Sequence, residues 1–263
     1  MKKKKLTSVQ ASSKKPTVLQ ETLFWKNQDG VFIFGVDEAG RGCLAGPVCA
    51  AVSCWEKIEG ESLPVPVRDS KVMTEHQREE CFEPIREKAL AYGVGYGSCQ
   101  EIDRWNILKA NYLAVARALE GALGMLVSQK RIYAGNLTAH KFVFLSDGNQ
   151  PLVSNARFFV HSPEYMASFP LVAELLRTAF EEICVVKGDS KVFSIAAASV
   201  LAKVSRDRHM VGLHQAFPAY EFASHKGYST PQHVAILRRV GPCSEHRRSF
   251  APVSETLDLF NAE

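Results

Sequence analysis

Residues 32–48 read FIFGVDEAGRGCLAGPV, and this stretch decides how the rest of the chain is read. It continues an apolar, β-prone run, residues 31–36, that predicts a buried strand. Asp37 and Glu38 stand at the end of that run. Adjacent carboxylates on a buried strand are costly unless a cation lies beside them. A hard divalent ion with oxygen ligands is the usual solution. Gly40, Arg41 and Gly42 come next, then Gly46 and Pro47. Glycines allow close approach of the backbone to a ligand. Taken alone, an acid pair and an arginine after a strand read first as a solvated turn rim.

The other elements place this stretch in a fold. Residues 48–55 form a second apolar run, antiparallel to the first because the connection is short. Thr74 followed by Gln77 is a capping box that starts a helix through about residue 91. Residues 94–98 are short, β-like and glycine-rich. A long helical pattern covers 102–126, carried by Ile107, Leu108, Tyr112, Val115, Leu119 and Leu123. FVFL at 142–145 is a compact strand ending at Ser146-Asp147-Gly148-Asn149. A helix near 171–182, a strand at 183–186 and a small-residue helix over 194–208 follow. Pro231 opens a last helix to residue 240. This alternation predicts one α/β sandwich with a mixed sheet.

A chain of 263 residues can hold one large domain with a sizeable core. We expect a flexible basic arm over 1–28, a main body over 29–250 whose C-terminal part, about 209–250, is helical, and a tail over 251–263. The net charge of +4 suits a polyanionic partner without requiring one. Seven cysteines without CxxC spacing read as free thiols of a reducing cytosol, not as a zinc site. Lys2 to Lys5 lead into no apolar segment, so the start is not a signal peptide. No window approaches about 18 apolar residues, so no membrane span is expected. A cytoplasmic monomer is the expectation. Neither a P-loop nor GxGxxG is present, which argues against a nucleotide cofactor.

Acids stand at three predicted strand ends: Asp37 with Glu38, Asp147, and Asp189 in KGDSK. Ligands gather at strand ends in open α/β sheets. Four carboxylates meeting there would repel one another without cations. Two Mg2+ or Mn2+ ions would relieve the repulsion and activate water for phosphodiester cleavage. Lys71, Lys187, Lys191, Lys203, Arg247 and Arg248 supply positive charge in segments a compact fold can bring near the acids. Lys71, Lys203 and Arg247 are the expected phosphate contacts.

With those residues in hand, the sequence resembles bacterial ribonuclease HII, the type 2 ribonuclease H. The matching motifs are GVDEAGRGCLAGPV, RDSKVMTE, IDRWNILKAN, LSDGN, KGDSKVFSIAAASVLAKVSRDR, HKGYST and GPCSEHRRSF. The resemblance implies a ribonuclease H-like fold, with a mixed five-stranded sheet, flanking helices and a helical C-terminal part. It implies endonucleolytic hydrolysis of the RNA strand of RNA/DNA hybrids. It also implies cleavage 5′ to single ribonucleotides embedded in duplex DNA, leaving 3′-hydroxyl and 5′-phosphate ends. Asp37, Glu38, Asp147 and Asp189 match the family's metal-binding catalytic acids. Gly40, Arg41 and Gly42 match the loop that reads the 2′-hydroxyl, the local handle separating RNA from DNA. Tyr228 matches the tyrosine that stacks on the junction sugar. Lys71, Ser199 and Lys203 fall in motifs that approach the substrate.

Two departures stand out. The stretch between Asp147 and Asp189 is longer than the family pattern leads us to expect, which leaves Asp207 as a fallback acid. The N-terminal arm is too short for the extra domain of the type 3 enzyme. Type 3 ribonuclease H and an inactive hybrid-binding module are the alternatives. Near the end, Leu257, Asp258, Leu259 and Phe260 resemble the bacterial sliding-clamp-binding peptide, although Thr256 stands where glutamine is expected. Such a peptide would bind extended. The competing reading folds these residues back on the body as a final half-turn.

Overall fold

The computed structural model describes residues 15–25, 30–58, 62–160, 162 and 165–260; the side chains of 166 and 257–260 lie outside that description. The opening run is strand β1 (Val31–Ala39), and the glycine turn returns the chain antiparallel as β2 (Val48–Trp55). Strands β3 (Ala91–Gly97), β4 (Lys141–Asp147) and β5 (Phe180–Val185) complete one mixed sheet in the order β3–β2–β1–β4–β5. Strand β4 runs parallel to β1, and β5 runs parallel to β4. The fold is therefore the expected mixed five-stranded sheet with flanking helices.

The helices, in chain order, are α1 (Leu19–Trp25), α2 (Glu75–Lys88), α3 (Cys99–Trp105), α4 (Ile107–Ser128), α5 (Leu152–Asn155), α6 (Arg157–Val160), α7 (Pro170–Leu175), α8 (Phe193–Ala216), α9 (Phe222–His225), α10 (Pro231–Val240) and α11 (Val253–Phe260). The capping box at Thr74 and Gln77 forms as read, with Gln77 N donating to Thr74 Oγ1 at 3.2 Å. One face of the sheet, including Phe34, Val36, Phe142 and Phe144, packs against Leu113, Leu119 and Leu123 of α4. On the other face Ile33, Val143 and Leu145 meet Ile195, Val200 and Leu201 of α8.

Both long helices approach the sheet closely, and glycines permit it. A Cβ on Gly93, Gly95 or Gly97 of β3 would lie 1.9, 2.1 or 2.5 Å from the carbonyl oxygen of Ala118, Ala114 or Ala110. Those alanines recur every fourth residue and form one stripe on α4. Across the sheet, a Cβ on Gly35 would lie 2.0 Å from the backbone of Ser194 at the start of α8.

Several expectations are corrected. The helical pattern over 102–126 is two helices, broken at Asn106, whose φ of 71° turns the chain. Asn106 Oδ1 then accepts from Leu108 N and Lys109 N and so starts α4. The helix expected near 171–182 stops at Leu175, and Glu181 and Glu182 belong to β5. The chain from Asp147 to Asp189 is filled by α5, α6, α7 and β5. The last helix is α11, so residues 253–260 are helical where an extended peptide or a half-turn was considered. Part of the expected flexible arm, residues 1–14 and 26–28, lies outside the described residues. Its described part is folded: Thr17 bridges Val192, and Trp25 of α1 is buried. Glu21 Oε1 accepts from Ser194 N at 2.9 Å, capping the first turn of α8 from the N-terminal segment.

Candidate active site

Parallel pairing brings the acids together. Val36 of β1 is in register with Ser146 of β4, so the next residues, Asp37 and Asp147, end up side by side. Asp147 pairs with Val185 of β5, and the short connection to α8 carries Asp189. Gly188 N donates to Asp147 Oδ1 at 2.6 Å and ties that connection to β4. Asp37 and Glu38 lie within β1, one residue short of its end, so they point to opposite faces. Asp37 turns to the α8 face, where the nearby Ser199 hydroxyl favours its charged form. Glu38 turns to the α4 face, toward buried Asn111.

Electrostatics record this crowding. Burial, then the charges of Glu38 and Asp147, hold the Asp37 carboxyl well above the usual carboxylate range. Burial also raises Glu38, against the opposing pull of Arg41, whose Nη1 is 3.0 Å from Glu38 Oε1. Asp147 is raised by burial and by Asp189, while the Gly188 amide pulls it down. Asp189 is only 2 % exposed and pairs with Lys71 Nζ at 3.0 Å. Burial alone would lower the Lys71 ammonium; Asp189 and Asp37 outweigh it and raise the pKa.

A cleft of about 330 Å³ opens over Asp37 and Glu38, bordered by Gly40, Ser70, Lys71, Arg78, Ser199, Lys203 and Tyr228. Asp147 and Asp189 are not among its lining residues. Ser70 Oγ and Ser199 Oγ are 2.7 Å apart at its floor. A larger groove, about 890 Å³, lies away from the acids between residues 15–22 and 62–68.

Helix α8 presents Ser199, Lys203, Arg206 and Asp207 along the face next to the cleft, at helical spacing. Lys203 Nζ is 2.7 Å from Asp207 Oδ1, and Arg78 lies 3.9 Å from Asp207 Oδ2. The fallback acid is thus held in a structural ion pair and is not grouped with the other four. Lys203 and Arg206 also lie over the ring of Tyr228, at 5.1 and 5.6 Å from its centroid.

Two fully buried arginines brace the glycine turn. Arg247 donates Nε to Gly46 O at 3.0 Å, Nη1 to Arg41 O at 2.8 Å and Nη2 to Gly40 O at 2.7 Å. Arg206 donates to Pro47 O, Ala45 O and Lys226 O at 2.9 to 3.0 Å. Arg247, expected as a phosphate contact, is therefore a support for the turn. Sequence reasoning passed over Arg206 and Asn111 altogether. Arg206 sits in SRDR, a run that reads as helix surface, and Asn111 lies among the apolar positions of α4 with no local sign of its role.

The remaining basic residues disperse. Lys191 Nζ donates to Val186 O at 2.6 Å, within its own connection. Arg248 donates its backbone N–H to Asp103. Among the described residues no three His, Cys, Asp or Glu side chains already converge as a metal cage. The donor set nevertheless suits a hard cation. All four groups are carboxylates, and Glu38 Oε2 is buried with no hydrogen-bond partner among the described residues.

This sheet and this acid placement define the class: a ribonuclease H fold with carboxylates at adjacent parallel strand ends. The archaeal ribonuclease HII of Archaeoglobus fulgidus, solved in complex with PCNA, has the same fold, with a TM-score of 0.55 at 22% identity over 83% of this chain and 95% of that one. Bst-RNase HIII in complex with Mn2+ superposes with a TM-score of 0.57 at 17% identity, over 90% of this chain and 73% of that one. The family model for ribonuclease HII matches residues 34–143 and 166–253. A ribonuclease HII of Burkholderia pseudomallei (strain 1710b) is 43% identical over 230 residues, 88% of each chain. The chain belongs to the ribonuclease HII family.

Proposed function

We propose that this endoribonuclease of the type 2 class hydrolyses the RNA strand of RNA/DNA hybrids and nicks duplex DNA 5′ to an embedded ribonucleotide, leaving 3′-hydroxyl and 5′-phosphate ends. One observation carries the reading. Asp37, Glu38, Asp147 and Asp189 come from three segments to one end of the sheet, beside a braced glycine turn and Tyr228. Asp37, Glu38, Asp147 and Asp189 would hold Mg2+ or Mn2+, two ions in the full complex. Divalent cations, when bound, neutralise these acids and supply Lewis acidity for phosphodiester hydrolysis. Mn2+, present in the Bst-RNase HIII neighbour, is a cation this donor set suits.

The chain's own residues do the selecting. The carbonyls of Gly40 and Arg41 are taken by Arg247, so the turn has N–H groups of Arg41 and Gly42 to offer a ribose 2′-hydroxyl. Tyr228, 37% exposed, presents its ring beside the cleft as a stacking platform for the sugar at the RNA–DNA junction. Lys71 and Lys203 border the cleft and are placed to meet substrate phosphates. Ser199 keeps Asp37 oriented. Hydrolysis of a duplex carrying one ribonucleotide, set beside an all-DNA duplex and run with Mg2+, Mn2+ or EDTA, tests this. Binding without metal-dependent cleavage would support the hybrid-binding module instead.

A sliding clamp is the partner assigned to Leu257, Leu259 and Phe260. The PCNA complex is a property of the archaeal neighbour. Here the three residues fall in α11, so that helix would have to unwind to bind as an extended strand. Binding of a peptide spanning residues 252–263 to the cognate bacterial clamp is the test, and no binding at high micromolar concentration removes the assignment. No helix among the described residues is long and apolar enough to cross a membrane.

A further inference from the structure

Behind Tyr228 lies a group of three buried histidines that the catalytic reading does not use. His225 and His233 are stacked with ring centroids 4.1 Å apart. His233 Nε2 is 3.1 Å from His246 Nε2, and His233 Nδ1 is 2.9 Å from Tyr228 O. His246 Nδ1 accepts from Cys243 N at 3.1 Å, and His225 Nδ1 accepts from Gly227 N at 3.2 Å. His225 Nε2 is 2.8 Å from Tyr220 O.

Backbone partners fix every proton. An amide can only donate, so His246 Nδ1 is bare and the neutral ring carries its proton on Nε2. That proton points to His233 Nε2, which must then be the acceptor. His233 therefore carries its proton on Nδ1 and donates it to the carbonyl of Tyr228. By the same logic His225 is bare at Nδ1 and donates Nε2–H to Tyr220 O. A second proton on His233 or His246 would set two donors face to face. Burial agrees, holding His233 at about 4 and His246 at about 3, so both are neutral near pH 7. Glu221 and Lys226 act on His225, which they pull in opposite directions.

The chain of bonds ends at the site. Tyr228 N donates to His225 O, and Tyr228 O accepts from Thr230 N as well as His233. The Gly227 carbonyl accepts from Leu44 N at 2.8 Å, and Arg247 N donates to Leu44 O at 2.9 Å. The residues around Tyr228, the glycine turn and the C-terminal HRRSF segment are thus one hydrogen-bonded unit.

We propose that His233, oriented by His246, is a positioning residue for Tyr228: its Nδ1–H tautomer fixes the Tyr228 peptide so that the ring meets the junction sugar, and the relay thereby sets discrimination at a single ribonucleotide. This rests on the reading of Tyr228 given above.

Two measurements test it. The first uses the intact protein. Long-range 1H–15N correlation of the imidazoles is expected to show His233 as the Nδ1–H tautomer and His246 and His225 as Nε2–H. An Nε2–H signature at His233 overturns the proposal. The second is the ratio of cleavage on a single-ribonucleotide duplex to cleavage on a uniform RNA/DNA hybrid. His233→Leu is expected to lower that ratio by roughly tenfold, about the effect of one buried hydrogen bond. His233→Asn keeps a donor near the Nδ1 position and is expected to recover most of it. In Tyr228→Ala, adding His233→Leu is expected to cost nothing further, because the two act as one unit. Additive losses, or an unchanged ratio in His233→Leu while Tyr228→Ala loses it, overturn the relay alone. An unchanged ratio in Tyr228→Ala overturns the reading of Tyr228 and the relay's role with it. If His233→Leu does not fold, His233→Asn and the tautomer spectrum decide.

Discussion

Lys71 Nζ lies 3.0 Å from Asp189 Oδ2, joining a lysine with an exposed side chain to a buried carboxylate. The lysine occupies a lone pair that a divalent cation would otherwise use. Lys71→Ala is expected to tighten Mn2+ or Mg2+ binding, read as the cation concentration at half of the thermal shift. The same variant is expected to turn over more slowly, since it loses a cation at the cleft. Weaker or unchanged metal affinity would count against the competition.

Asp37 is buried beside Glu38 and Asp147, which makes its charge costly in the metal-free fold. Asp37→Asn removes the charge and keeps the shape. It is expected to raise the metal-free protein's stability at neutral pH, since the native state no longer carries a costly buried charge. Activity is expected to fall to near background. Asp189→Asn should likewise lose activity. Asp207→Asn is the contrast: it breaks the pair with Lys203 and should cost stability, with activity following the folded fraction. A denaturant titration beside a cleavage assay separates the patterns.

Arg247 offers three donors to three carbonyls, and a lysine cannot reproduce that fork. Arg247→Lys is expected to destabilise the protein by about 2–4 kcal/mol through buried carbonyls left without donors. Turnover should fall with the loosened turn. The salt dependence of substrate binding should not change, because Arg247 neutralises no phosphate. A shallower salt slope would restore the phosphate role expected from sequence.

His233 and His246 have folded pKa values of about 4 and about 3, below the ordinary 6.5. Between the ordinary and the folded values the unfolded chain binds more protons than the native one. Stability therefore rises with pH across that window. The contribution is fully present above the ordinary value and is lost as pH falls through it toward 4. By pH 4.5 the loss is on the order of 2 kcal/mol per histidine. Denaturant midpoints measured from pH 7 to 4.5 should fall, and His233→Asn should flatten the slope.

Gly95 and Gly124 make opposite predictions from the same substitution. Gly95→Ala would put a Cβ 2.1 Å from Ala114 O, so α4 must lift from the sheet, and a loss of about 3 kcal/mol or more is expected. Gly124, inside α4, has nothing within 4 Å of an added Cβ. Gly124→Ala is expected to gain about 0.5–1 kcal/mol from helix propensity. Thermal midpoints of the two variants check both signs.

The first strand, the hairpin, the capping box and the small-residue helix were all legible, because each is written in local pattern: period, cap or glycine turn. The acids were legible as a group because strand ends announce themselves. The break at Asn106 was hidden, since Asn106 caps two helices and the apolar pattern runs across it. Strand β5 was mistaken in part for helix, because Glu181 and Glu182 look like helix surface; yet Glu182 accepts from Val153 N, Ser154 N and Ser146 Oγ and so belongs to tertiary packing. Arg206 and Arg247 could not be told from surface arginines, because the carbonyls that define them come from segments far away in the chain. Glu21 shows the same limit from the other terminus: its partner, Ser194, is 173 residues on.

Arg247 and Gly40 are separated by 207 positions. Synthesis runs from the N-terminus, so the acids of β1 leave the ribosome well before the brace for the neighbouring turn. A nascent chain can pair its strands and gather its carboxylates well before Arg247 is available to set Gly40 and Arg41. The glycine turn therefore cannot take its braced form until the HRRSF segment has been made, although the strand that carries the acids beside it can form earlier.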